Sequence, residues 1–247
     1  PFIIEHPDTA FAYLHEWTAD PDEHVRRLVS EGSRPRLPWG QRLPAIVADP
    51  SPTLALLEKL RDDPSEYVRR SVANHLNDIS KDHPDTVIET CLRWQADAGP
   101  ERNWIIRHAT RSLVKAGHPG VFGLLGFTDK PDIALDSLDV FPRSISLGEA
   151  LTFQARLRSR AGGSQRLVVD YAVHHVKANG KTTPKVFKFR TLELDAGETV
   201  VLEKKHAIRP ISTRRYYPGE HAVEILVNGK SLGSTPFELN IEQRNKS

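Results

Sequence analysis

The sequence has no methionine, a single cysteine and no apolar run approaching the length of a membrane span. One cysteine rules out an intramolecular disulfide. Cys91, inside the helical run Val87-Ile88-Glu89-Thr90-Cys91-Leu92, is expected to be a buried, reduced thiol, which fits a reducing cytoplasm. No membrane contact is expected, and no secretory leader is visible. The chain starts at Pro1 and lacks methionine throughout, which predicts that it belongs to a longer gene product. Also missing are a phosphate-cradling loop, a His/Cys cluster at metal-ligand spacing and a nucleophile elbow. His174 and His175 are adjacent on an expected strand, so they point to opposite faces and make a poor ligand pair. No metal and no cofactor are expected.

Charge of either sign is nearly balanced, with a net charge of +2. Residues 1–127 carry 15 basic and 18 acidic residues, and the remainder carries 19 and 14. This modest basic excess in the second half does not by itself identify a nucleic-acid partner.

What is present changes character near Phe127. Before it, apolar residues recur at helical spacing; after it, they alternate at period two between Gly, Pro and Asn. The first half repeats itself. Asp20-Pro21-Asp22-Glu23-His24-Val25-Arg26-Arg27 returns 43 residues later as Asp63-Pro64-Ser65-Glu66-Tyr67-Val68-Arg69-Arg70, and a weaker copy at Ile106-Arg107-His108 follows after another 38. Periods near 40 built from helix pairs are the mark of HEAT-like solenoids. Asp caps the next helix and Pro fits its first turn. The pattern predicts first helices over 8–18, 51–62 and 84–97 and second helices over 21–32, 64–81 and 101–116.

The second half predicts a β-sandwich. Strands are expected at 151–158, 167–173, 185–194, 198–206, 221–227 and 236–241, with turns at Ala161-Gly162-Gly163, Asn179-Gly180 and Asn228-Gly229. Tyr216-Tyr217-Pro218-Gly219-Glu220-His221 resembles the corner entering a late strand of immunoglobulin-like folds. The antibody cysteine pair is absent, so the expectation is Ig-like only. The predicted architecture is therefore a multidomain α-then-β chain: a HEAT-like α-helical repeat solenoid over 1–127 and an Ig-like β-sandwich over 128–247.

On the second helix of the second repeat, Val68, Val72, Leu76 and Ile79 form one apolar stripe, and Tyr67, Arg70, Asn74, Asp78 and Lys81 face the other way. The repeat offset maps Asn74 onto Glu31. Equivalent positions stack along one surface of a solenoid, so Glu31, Asn74 and Asp78 should be neighbours, followed by His108, Ser112 and Lys115, with Arg107 and Arg111 one turn apart. After Glu31 comes Gly32-Ser33-Arg34-Pro35-Arg36-Leu37-Pro38-Trp39-Gly40, two arginines and an aromatic ring held by two prolines. The plain reading is an inter-repeat loop with a half-buried Trp39 and solvated arginines.

The segments Ser30–Trp39, Val68–Lys81 and Asn103–Arg111 are similar to the AlkC branch of the AlkC/AlkD DNA glycosylases, some of which carry a C-terminal Ig-like domain. Family members normally have further helices before the segment that begins here. The resemblance implies excision of cationic N-alkylated bases, 3-methyladenine and also 3-methylcytosine, from double-stranded DNA by a monomer without a cofactor. It implies Glu31 and Asp78 as catalytic carboxylates, with Asp78 stabilising charge and Glu31 positioning water. Trp39 and Asn74 would touch the lesion or its sugar, and Arg34, Arg36, Arg107, His108, Arg111 and Lys115 would hold DNA. Two alternatives stay open: a non-catalytic HEAT-repeat adaptor binding DNA or protein, and a surface protein whose Ig-like module binds partners. In the second half, Arg156, Arg158 and Arg160 share one strand face, and Lys177, Lys181, Lys185 and Lys188 gather round a turn. They are expected at solvent or at DNA phosphates.

Overall fold

The structure, a computed structural model, describes residues 1–241. It divides into two compact units, Pro1–Leu125 and the chain from Gly126 onward. No helix among the described residues is long and apolar enough to cross a membrane.

The first unit is helical: α1 (Phe2–Glu5), α2 (Pro7–Trp17), α3 (Glu23–Gly32), α4 (Pro44–Ala48), α5 (Ser51–Leu60), α6 (Glu66–Ile79), α7 (Pro84–Gln95), α8 (Pro100–Ala109), α9 (Arg111–Ala116) and α10 (Pro119–Leu124). The pairs α2/α3, α5/α6 and α7/α8 are the repeats. Their second helices form one layer, α3 packing on α6 and α6 on α8. Val68, Val72, Leu76 and Ile79 are all buried, in one core with Val29, Leu56, Leu60, Trp94, Ile105 and Cys91. Burial pushes the Cys91 thiol up to about 12, so it stays protonated.

The recurring Asp-Pro element has a different job from the expected cap. Asp20 accepts from the amide of Asp22 at 2.8 Å, and it is Asp22 that caps α3 by accepting from the amide of His24 at 2.8 Å. Asp63 likewise accepts from the amide of Ser65 at 2.9 Å. The prolines thus precede the cap, and the helices begin later than the spacing suggests. Arg26 and Arg69, equivalent in the repeat, each close their own turn. Arg26 donates to the carbonyls of Asp20 (2.8 Å) and Pro21 (3.0 Å), and Arg69 to those of Asp63 and Pro64 (2.7 Å each). Arg26 also pairs with the Asp63 carboxylate at 2.6 Å, tying one repeat to the next. The third second-helix is broken. Its chain leaves the helix at the buried Thr110, whose hydroxyl donates to the carbonyl of Ile106 at 2.8 Å, and resumes as α9.

The second unit contains β1 (Ile133–Phe141), β2 (Ser144–Ser146), β3 (Ala150–Ser159), β4 (Gln165–Val176), β5 (Thr182–Leu194), β6 (Thr199–Ala207), β7 (Gly219–Val227) and β8 (Lys230–Asn240). Two sheets, β1-β3-β6 and β2-β8-β7-β4-β5, enclose a core of Phe153, Leu157, Val169, Tyr171, Val173, Ile225 and Phe237. Neither β1 nor β2 stands out in the sequence. β1 slips register between Leu135 and Ser137, which interrupts its alternation, and β2 has three residues. Arg156, Arg158 and Arg160 are exposed on one face, and Arg158 is paired with Asp136 at 3.0 Å. His174 meets Glu224 at 2.7 Å, while His175 turns inward against the rings of Tyr216 and His221. Among the described residues no group of three or more His, Cys, Asp or Glu side chains could hold a metal ion.

Candidate active site on the stacked helices

The ends of α3 and α6 meet, and the chain leaving α3 supplies the link between them. Arg34 follows α3 by two residues, and its guanidinium is buried, with 9% of the side chain exposed. It donates through Nη1 to Glu31 Oε1 at 2.6 Å and through Nε to Asp78 Oδ2 at 2.8 Å, and its Nη2 lies 2.6 Å from the same Asp78 oxygen. The other Asp78 oxygen accepts from Lys81 Nζ at 2.8 Å, one turn further along. The other Glu31 oxygen accepts from Ser71 Oγ at 2.7 Å and lies 3.4 Å from Arg27 Nη2. Glu31 and Asp78 are therefore neighbours, as repeat stacking predicts, joined by one arginine.

Arg34 is expected at a phosphate, but its donors are engaged by two carboxylates beneath the surface. Arg36 is also committed, in a two-pronged pair with Asp82 at 2.6 and 2.7 Å. Trp39 is fully exposed, with a left-handed backbone at φ 64°. The plain reading of this loop is thus reversed: the arginine is buried and the tryptophan stands in solvent. Left-handed backbone at a non-glycine residue costs free energy, and such strain gathers at binding sites.

The two carboxylates differ in access, 24% of the Glu31 side chain being exposed against 4% for Asp78. Burial works to raise the Glu31 carboxyl, but the Ser71 hydroxyl and the Arg34 guanidinium outweigh it and hold it below the ordinary range, so it is ionised at neutral pH. Glu31 is the carboxylate a ligand can reach, and Asp78 braces Arg34.

Beside this cluster lies a second group. Asn74 Oδ1 faces His108 Nε2 at 3.2 Å and accepts from Arg111 Nη2 at 3.0 Å. The His108 ring stacks on Trp104, with centroids 4.9 Å apart and planes at 8°. Burial, with Arg111 and Arg70 nearby, pushes His108 down, which favours the neutral ring. Arg107 and Lys115 are exposed, and among the described residues neither makes an ion pair. Sequence reasoning missed Ser71 and His75, because a small hydroxyl and a fully buried imidazole carry no spacing signal.

Residues 1–113 match the family model described as "DNA alkylation repair enzyme", and residues 134–241 match "Uncharacterised protein YhaZ, C-terminal Ig-like domain". The chain is 40% identical over 239 residues to the uncharacterized protein YhaZ of Bacillus subtilis, covering 97% of this chain and 66% of that one. It is similar to the solved structure of the Pseudomonas fluorescens alkylpurine DNA glycosylase AlkC bound to DNA containing an abasic site analog. The TM-score is 0.90 and the identity 44%, over 97% of this chain and 66% of that one. The chain thus spans 66% of the length of each of these relatives.

Proposed function

The chain belongs to the DNA alkylation repair enzyme family, and from that premise we propose that it is a monomeric DNA glycosylase releasing cationic N-alkylated bases, such as 3-methyladenine and 3-methylcytosine, from double-stranded DNA. The observation that carries this reading is the ionised, reachable Glu31 fixed by Arg34 and Ser71 in the loop-and-helix segments that resemble AlkC. The similar AlkC structure, bound to an abasic site analog, supports it: an abasic site is what base excision leaves.

The chemistry suits a carboxylate with no acid partner. An N-alkylated base carries a positive charge, so it leaves as a neutral molecule when it takes the glycosidic electron pair. Positive charge then grows on the deoxyribose. A preorganised carboxylate stabilises that charge more in the transition state than in the ground state. Water completes the reaction at C1′, and its proton passes to Glu31 or to solvent. Glu31 is held at both oxygens, so it need not reorganise as charge develops. Asp78 keeps Arg34 in place, and Arg34 keeps Glu31 in place. The exposed ring of Trp39 is suited to pack against a cationic base. Asn74 would touch the lesion or its sugar, and His108, Arg111 and the exposed Arg107 and Lys115 would meet the backbone.

The test is incubation of the full chain with DNA carrying methylated bases, followed by analysis of released base. Release by the wild-type chain, lost on Glu31→Gln, is the expected result. Binding without release would favour a helical-repeat adaptor.

A further inference from the structure

His75 is wholly buried on α6, one turn after Ser71, at the heart of the candidate site. Its Nδ1 lies 2.9 Å from the carbonyl oxygen of Ser30, so Nδ1 carries the hydrogen and donates. Nε2 is then a bare lone pair, and it has no partner among the described residues. A buried acceptor with no donor to meet it destabilises the fold. An apolar side chain of similar shape would avoid that cost, so packing alone does not explain a histidine here.

What the imidazole holds does explain it. Ser30 is the residue before Glu31, and its carbonyl is among the last four of α3, which have no intrahelical donor. One turn earlier on α6, Ser71 Oγ lies 3.0 Å from Ser30 Oγ and 2.7 Å from Glu31 Oε2. Two side chains of one helix thus grip a single dipeptide of the neighbouring helix at its backbone, at one side chain and at the reachable carboxylate.

We propose that Ser71 and His75 are positioning residues for Glu31, the hydroxyl fixing one carboxylate oxygen and the imidazole fixing the Ser30 carbonyl that anchors the end of α3. The proposal rests on the glycosylase reading. Charged and titratable groups facing this pair are Arg27 on α3, Arg34 in the following loop and Asp78 on α6, with Arg111 on α9 close to Asp78 and Arg34. Burial pushes the His75 imidazole down to about 4, so it remains the neutral donor through the working range. Against the upward push of burial, the Ser71 hydroxyl does the most to lower the Glu31 carboxyl, and its loss therefore raises that carboxyl.

The experiment measures single-turnover base release against pH, together with affinity for DNA containing an abasic-site analog, in the full chain. Absence of release by the wild-type chain would sink the glycosylase reading itself. Given release, Ser71→Ala is expected to slow it by at least about fivefold, roughly 1 kcal/mol of barrier. It should also shift the acid limb of the profile to higher pH, with affinity changed less than about twofold, and Ser71→Thr should restore part of the rate. For His75, the asparagine variant keeps a donor near the Nδ1 position and the phenylalanine variant keeps only volume. His75→Asn is expected to release base faster than His75→Phe at matched thermal midpoints. An unmoved acid limb in Ser71→Ala, or equal rates in the two His75 variants, would overturn the proposal.

Discussion

In the helical unit most arginines have a carboxylate or a carbonyl at hand, whereas among the described residues of the sandwich most do not. Arg26 bridges to Asp63, Arg34 to Glu31 and Asp78, Arg36 to Asp82, and Arg102 to Asp62 and Asp97. Among the described residues of the sandwich, the ion pair of arginine is Arg158 with Asp136, and His174 Nε2 faces a Glu224 carboxylate oxygen. The two units use charge for different ends. Repeats that dock side by side need register, and long forked side chains reaching from one repeat to a carboxylate of the next specify it. A sandwich closes on alternating apolar strands, so its lysines and arginines stay at the surface, where they act at longer range. Many carboxylates of the first half are engaged by arginines in this wiring, so counting charges by half says little about which unit would meet DNA.

The sharpest way to break this comparison is Arg34→Ala. It leaves Asp78 buried with Lys81 as its remaining ion-pair partner and removes one anchor of Glu31, so it is expected to destabilise the helical unit by about 3–5 kcal/mol. Thermal unfolding checks this, and a shift no larger than that of a surface arginine would mean the wiring is not structural. Next in size, Glu31→Gln preserves shape and is expected to slow base release at least about tenfold, roughly 1.4 kcal/mol of barrier, with the fold kept. Asp78→Asn should lose rate and stability together, because it acts through Arg34; lost rate with an unchanged thermal midpoint would return Asp78 to direct contact with the sugar.

Acid sharpens the comparison further. Burial lowers His75 from 6.5 to about 4, so the folded chain stays neutral there while the unfolded chain takes up a proton. The stability this contributes is complete above about pH 6.5 and is lost as the pH falls toward about 4, at up to about 1.4 kcal/mol per pH unit. His75→Phe should flatten the pH dependence of unfolding by about one proton. An unchanged slope would show that the imidazole is not held neutral.

The smallest effects belong to the exposed surface cations. Arg156→Ala with Arg160→Ala in the sandwich, and Arg107→Ala in the helical unit, should each weaken binding to damaged and undamaged DNA alike. The salt dependence should flatten by about one counterion for each phosphate that is no longer neutralised. Arg36→Ala, already matched with Asp82, should leave the salt slope unchanged; a clear drop would mean that Arg36 leaves its partner to meet phosphate.

The repeat, the stripe Val68-Val72-Leu76-Ile79 and the meeting of Glu31 with Asp78 were legible because a solenoid converts a sequence offset directly into spatial adjacency. The alternating strands were legible for the same kind of reason, a period of two mapping onto one face. What stayed hidden depends on side-chain reach. Nothing in Arg34-Pro35-Arg36 says that the first guanidinium turns inward to two carboxylates and the second sideways to one. Ser71 and His75 look like filler until α3 is laid across α6. The break at Thr110 was missed because its residues have ordinary helical character, and the helix stops where the buried Thr110 hydroxyl turns back on the carbonyl of Ile106.

The link between repeats through Arg34 has a consequence for how such a protein comes to be active. Neither carboxylate lies on the same helix as the other, and the arginine between them belongs to a connecting loop. A chain in which α5/α6 has not yet docked on α2/α3 therefore carries an ordinary surface glutamate, and under the proposed function reactivity arrives only when the two pairs dock in register. Mis-docked or half-made molecules would be chemically silent, a useful property in a protein proposed to cut bonds in the genome.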